Sequence, residues 1–367
     1  MADDIVVIVS LDTEEDNWNR SRTDVTVANI RELRRLSRVF TRWGVRPTYF
    51  TAYQVAIDPC AVQVMREVAN DSGGEIGAHL HPWNTPPLLE EFVPRNSMTK
   101  NLPPDLQLAK IRTLTRTLEE AFGRSPTSFR AGRYGIGPDT IAALVSCGYR
   151  VDSSVSPFVS LEGVDDGPRF VGAPIVPYRL APHGDVRQPV PDGPLIEVPL
   201  SYGFNRGPFG FWDRTRRVLE ARPLRWLHLA GLAARAGFGR RVSLSPEYHP
   251  VADMLTLSKQ LLGHGARHLH VSWHTPSLKP GLSPFAATAA DVDRLYGSIE
   301  AYFEGLAGLA TFRFVTVSEA AAALLVTRGD APVAAMQRPP LPTCSPAAAC
   351  DGITRAPPDA RPRRSAT

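Results

Sequence analysis

The sequence predicts an α/β fold of the βα-barrel type, and three observations lead there. Strand-like and helix-like periodicities alternate along most of the 367 residues. Polar, chemistry-bearing residues collect at the C-terminal ends of the predicted strands, where a βα barrel assembles its site. The composition, 43% hydrophobic and 21% charged, is that of an ordinary globular chain able to bury a large core.

The elements follow in order. The apolar run from Ile5 to Leu11 is a strand ending at Asp12. Val27, Ile30, Leu33, Leu36, Phe40 and Trp43 recur at helical spacing, with Gly44 where a left-handed C-terminal residue belongs. A strand from Arg46 to Thr51 and a helix from about Cys60 to Ala69, stopped by Gly73-Gly74, precede a strand that starts at Glu75 and runs into His79, His81 and Trp83. Next come a helix from about Asp105 to Phe122, a strand from Ser128 to Gly132, a helix opened by Gly137-Pro138, and a strand from Tyr149 to Ser154. Pro157 to Pro194 is rich in proline and glycine without a period and reads as an insertion of long loops with short strands. Leu195 to Leu200 is again a strand. The fold finishes with a helix from about Val251 to Leu262, a strand from His268 to His274, a helix from about Ala287 to Leu306, a strand from Phe312 to Val317 and a helix capped by Ser318.

Residues 1–327 thus read as one catalytic-type domain carrying an insertion at about 157–245, and 328–367 as a disordered tail of alanine, proline and arginine. Six arginines against three aspartates in that tail supply three of the four net positive charges, so the body is nearly neutral and nothing argues for nucleic acid. Between Asp213 and Arg241 a basic, leucine-bearing stretch is read as a solvated helix pair in preference to a surface for anionic carrier lipid or phosphate. Four widely separated cysteines imply no disulfide framework. Asp3 and Asp4 lead directly into a strand, with no basic start or apolar leader, so the expected location is cytoplasmic.

Asp12 and Glu14 at the exit of one strand, with His79 and His81 at the exit of another, are what a single divalent ion needs. In extended chain, residues i and i+2 point to one side, so each pair can converge. The chain reads as a metal-dependent hydrolase. Arg130, Asp152 and His274 also fall at strand ends, with Glu197 slightly inside its own. Asp152 and Glu197 are candidates to support His274 from behind or to cap the next element, and His270, on the same strand face, competes with His274 for the reactive role.

The segments Ser10-Leu11-Asp12-Thr13-Glu14, Glu75-Ile76-Gly77-Ala78-His79, Phe129-Arg130-Ala131-Gly132-Arg133-Tyr134-Gly135, Val151-Asp152-Ser153-Ser154 and His270-Val271-Ser272-Trp273-His274-Thr275-Pro276-Ser277-Leu278 stand in the order of the polysaccharide deacetylase family, carbohydrate esterase family four. The chain resembles that family from about Ile5 to Val326, and most of all its cytoplasmic branch linked to bacterial exopolysaccharide biosynthesis. The resemblance implies a distorted, incomplete (β/α) barrel that holds one divalent ion, usually Zn2+. It implies hydrolysis of the N-acetyl group of an amino sugar in a glycan or glycan precursor, with metal-bound water as nucleophile. Asp12 matches the general base, Glu14 the metal carboxylate, His79 the first metal histidine, His274 the general acid and Arg130 the partner of the base. A backbone N–H near Tyr134 matches the oxyanion position.

Two departures leave alternatives open. The family often places its second metal histidine four residues after the first, where this chain has Trp83, so the second ligand here is His81 or none nearby. The commoner first motif has adjacent aspartates, so Asp12 and Glu14 could exchange roles. Arg133 could replace Arg130 beside Asp12. Trp18, Trp83, Tyr134, Trp212 and Trp273 can stack on a sugar or serve as core. Two further functions use the same residues: a metal-dependent amidase for a small molecule, and a glycan-binding protein that has lost turnover.

Overall fold

The computed structural model describes residues 5–16, 21–220 and 239–326. Strands β1 (Ile5–Thr13), β2 (Thr48–Ala52), β3 (Glu75–Leu80), β4 (Ser128–Ala131), β5 (Val151–Asp152) and β7 (Leu195–Glu197) lie side by side in that order, all parallel. A short β6 (Tyr178–Leu180) runs antiparallel along β7 and ends the sheet on that side. On the other side β10 (His268–His274) pairs with β1 over Val6 to Asp12. The remaining edge of β1 is shared: β11 (Phe312–Val315) takes Ile5 to Ile8, and β2 takes Ser10 to Thr13. The result is a curled sheet with helices outside, a distorted and incomplete (β/α) barrel as expected.

The seam between β7 and β10 is crossed by a two-stranded sheet, β8 (Tyr202–Phe204) and β9 (Arg241–Ser243), that the sequence did not suggest. Ser272 N donates to Leu244 O (3.0 Å), Leu244 N to Ser201 O (3.0 Å), and His270 N to the Ser201 hydroxyl (2.9 Å).

Strand alternation sorts the core into two apolar clusters. Val7, Val9 and Leu11 pack outward with the helix residues Leu33 and Leu36, whereas Val6 and Ile8 face the lumen with Phe50, Val151, Val198 and Val315. Gly77 on β3 leaves room for this filling, since a Cβ there would lie 2.8 Å from the Phe50 ring. The helix Val317–Val326 closes the lower mouth with Val317, Ala320 and Ala321. Its cap is Thr316, not Ser318: Thr316 Oγ1 accepts from Glu319 N, while Ser318 donates to the buried Glu75. The strand ends two residues earlier than its apolar pattern, which moves the cap back.

Residues 157–194 are largely loop, with β6 and an antiparallel bridge between Ser160 and Arg169. A helix at Phe209–Glu220 opens the basic stretch; residues 221–238, the tail from 327 and Trp18 lie outside the described residues. Among those described, no helix is long and apolar enough to cross a membrane.

Truncating Ile8 to Ala removes a side chain with 0% exposure from the lumen cluster and is expected to lower unfolding free energy by about 2–5 kcal/mol, read from urea denaturation midpoints.

Candidate active site

The lumen changes character one layer above the apolar floor. Arg130, on the inward face of β4 and 1% exposed, lies with its guanidinium 4.2 Å over the Phe50 ring. It donates to Asp12 Oδ1 (2.5 Å), to Ser10 Oγ (2.8 Å) and to the carbonyl of Ser153 (2.9 Å). Ser10 in turn contacts His270 Nε2 (2.8 Å). Burial, then the nearby Arg130, pushes the His270 pKa well below its usual value, so that ring is a neutral acceptor. His270 is therefore structural, and Arg130 is the partner of Asp12. Arg133 points elsewhere, to Asp165 at 2.7 Å.

Above this layer five side chains meet. Asp12 Oδ2 lies 3.7 Å from His274 Nε2 and 3.9 Å from His79 Nε2. Burial alone would raise the Asp12 pKa, but Arg130, His79 and His274 hold it below the carboxylate range. Glu14 Oε2 sits 3.5 Å from His79 Nε2 and 3.3 Å from His81 Nε2. Burial opposes ionisation there too, and hydrogen bonding to both histidines overrides it and holds Glu14 well below its ordinary value.

Both rings turn Nε2 toward Glu14 because each Nδ1 is engaged behind. His79 Nδ1 lies 3.1 Å from the carbonyl of Arg130, and His81 Nδ1 lies 2.8 Å from Glu15 Oε1. The same Glu15 oxygen accepts from Trp83 Nε1 (3.2 Å) and Asn84 Nδ2 (2.7 Å). Trp83 stacks on His81 with centroids 4.2 Å apart, so a residue expected at substrate also orients a ligand ring. Gly132, just past β4, lets the His81 ring pass: a Cβ there would sit 2.4 Å from His81 Cδ2.

Donor atoms of Glu14, His79 and His81 lie within 4.8 Å of one another, all buried. Two imidazoles fixed through Nδ1 by a carbonyl and a carboxylate, plus one carboxylate, fit a divalent ion such as zinc. Burial disfavours a charge on His81, yet Glu15 and Glu14 outweigh it and push its pKa up to about 10, so protons compete with an ion for Nε2.

His274 is held by Glu247, which the sequence reading missed. His274 Nδ1 lies 2.8 Å from Glu247 Oε2, and His274 N donates to Glu247 Oε1 (3.2 Å). Burial works against the imidazolium, but Glu247 prevails and pushes the pKa up to about 9. The expected supports, Asp152 and Glu197, do something else. They face each other in register on β5 and β7, Asp152 accepting from Ser154 (N, 3.0 Å; Oγ, 2.8 Å) and Glu197 from Val155 N (3.0 Å). Burial raises the pKa of both, and the Asp152 carboxylate raises Glu197 further. Both take the outward-facing parity of their short strands, next to the lumen-facing Val151 and Val198. Trp273 likewise packs outward against Phe40.

A cavity of about 360 Å³ opens over these groups, walled by Trp83, Met98, Tyr134, Leu161, Val164 and Tyr248. Arg133 and Tyr134 both adopt left-handed backbone (φ 53° and 57°) in the turn Gly132–Tyr134. Desolvation of its phenol, with Tyr202, Tyr248 and Asp12 nearby, raises the Tyr134 pKa well above the usual value; that group is a hydrogen-bond donor, not a base.

Comparison with known proteins adds to this geometry. No protein-family model matches the chain, and no curated protein does. Among solved structures, a candidate polysaccharide deacetylase from Mycobacterium smegmatis is similar at 16% identity over 93% of this chain and 97% of that one, with TM-score 0.50. A candidate glycoside hydrolase/deacetylase from Parabacteroides distasonis is similar at 13% identity over 88% of this chain and 71% of that one, with TM-score 0.57. At these identities the likeness establishes a shared fold.

Two measurements check the supports. Because the folded pKa of His274 exceeds the ordinary 6.5, its ion pair stabilises fully below about pH 6.5, and this is lost as pH rises through about 9. In Glu247→Gln the His274 pKa, followed by NMR, is expected to fall toward 6.5 or lower. Glu15→Gln is expected to weaken zinc binding about 10–100-fold in chelator competition.

Proposed function

We propose that this chain is a metal-dependent deacetylase of the polysaccharide deacetylase family, acting on an N-acetylated amino sugar. The observation that carries the reading is the convergence, in one cavity, of an arginine-held carboxylate, a glutamate-held cationic histidine and a buried Glu/His/His ligand set. The shared fold and the five ordered segments support it. An inactive glycan-binding protein would have no need of the Arg130 and Glu247 supports behind Asp12 and His274.

Glu14, His79 and His81 would hold a divalent ion, which when bound would polarise the amide carbonyl and lower the pKa of water from 15.7 to about 7. Asp12, kept ionised by Arg130, takes the proton of the attacking water through Oδ2, the oxygen left free of the arginine. A backbone N–H of the turn at Tyr134, on the cavity wall, holds the tetrahedral oxygen. His274, whose Nδ1 faces Glu247, gives its Nε2 proton to the departing amine. The shorter Asp12 is tied to the guanidinium while the longer Glu14 reaches the histidines, which supports base and ligand in that assignment. A place in the cytoplasmic, exopolysaccharide-linked branch rests on the sequence resemblance alone.

Purified protein is expected to hold about one equivalent of divalent metal by elemental analysis and to release acetate from N-acetylated amino sugars. His79→Ala should lose both. Asp12→Asn should keep the metal and lose about 10²–10⁴-fold in kcat; loss of metal in that variant would show that Asp12 and Glu14 have exchanged roles.

A further inference from the structure

We propose that the site takes a single N-acylated amino-sugar unit, as a small glycoside or a chain end, and does not act on internal units of a polymer; this rests on the deacetylase reading above. The inference comes from the loop between Val159 and Phe170. Its base is pinned by the antiparallel bridge of Ser160 with Arg169, and it brings Leu161 and Val164 to the cavity that holds Asp12 and His274.

This strap is tied down along its tip. Arg133 reaches Asp165 (2.7 Å) and Arg95 reaches Asp166 (2.9 Å). Lys100 Nζ donates to the carbonyl of Asp166 (2.6 Å) and Asn101 Nδ2 to that of Asp165 (2.9 Å). Gly167 packs so closely that a Cβ would lie 2.6 Å from Leu161 Cβ and 2.9 Å from Met98 Cε. Strap and Met98 therefore make one continuous wall. Trp83 and Tyr248 also line the cavity, and Tyr248 is braced edge-on by Phe285 at 4.8 Å.

A polymer held by an internal unit needs a groove that runs past the reacting group in both directions. Here Leu161 and Val164 of the strap, with Met98, line the same cavity as Asp12 and His274 and add an apolar wall to it. About 360 Å³ is near the lower end of small-molecule clefts, roughly 300–1,000 Å³, and suits one ring with its acyl group. The latch also couples strap to site: Arg133, which holds Asp165, belongs to the same turn as Gly132, on which the His81 ring rests.

The test uses the zinc-loaded full chain. Acetate release is measured on N-acetylglucosamine, N-acetylgalactosamine and N-acetylmannosamine, and on β-1,4-linked N-acetylglucosamine dimer and pentamer, with the deacetylated unit located by mass spectrometry. The expected result is kcat/KM on the pentamer no higher than on the best small substrate, with acetate lost from a terminal unit only. Asp165→Ala, and separately Leu161→Gly with Val164→Gly, are expected to raise internal deacetylation of the pentamer at least tenfold while the thermal midpoint shows a folded protein. Internal deacetylation by the unmodified chain, or folded variants with unchanged site preference, overturns the single-unit inference and leaves the deacetylase reading standing. A metal-loaded chain that releases acetate from none of these overturns the deacetylase reading itself.

Discussion

A guanidinium buried in the barrel lumen sets the conditions for everything above it. A charge out of water must be paired and hydrogen-bonded, and removing one partner of such a pair costs about 3–5 kcal/mol. Arg130 meets that demand by spanning the lumen: Asp12 and Ser10 on β1, Phe50 on β2 and Ser153 just past β5 all meet it. Its planar, forked head makes these contacts at once, which a lysine could not. The strands around it are thereby held at one height, and the reactive layer starts from a fixed base.

From that base, two acids separated by one threonine acquire different characters. Asp12 is short and lies against Arg130; Glu14 is longer, leaves the strand and meets two imidazole nitrogens. The asymmetry extends to the histidines. His79 leans on a main-chain carbonyl of the arginine strand, and His81 on the side chain of Glu15, which also gathers Trp83 and Asn84. Trp83, four residues after His79, is part of the support for the histidine two residues before it.

What could be read from the sequence follows a physical boundary. Strands and most helices were legible because apolar periodicity is local, and Asp12, Arg130, His79 and His274 were legible because a barrel gathers chemistry at strand ends. Facing was not legible for Asp152 and Glu197: strands of two and three residues carry too little alternation to fix which side is inward. Glu247 escaped because it sits in a loop and meets His274 only through the tertiary fold. Glu15, second in the acidic run after Thr13, was not legible because it acts by reaching across to His81, Trp83 and Asn84 beyond β3, a contact made only in the tertiary fold. The seam strands β8 and β9 are separated by the basic stretch, so neither shows its partner locally.

The shared edge of β1 has a consequence for how the chain comes together. During synthesis β1 acquires β2 early along half of one edge, but β10 and β11 are more than two hundred residues away in the chain. The central strand must therefore wait, half paired, until nearly the whole domain exists, and pairings of such separation are intrinsically slow. Leu11 and Val9 can be covered early by the following helices, whereas Val6 and Ile8 gain cover from Val315 and Val317 only at the end. Closure of the sheet is bound to the arrival of β10 and β11, and the half-paired form before it is the state most exposed to aggregation.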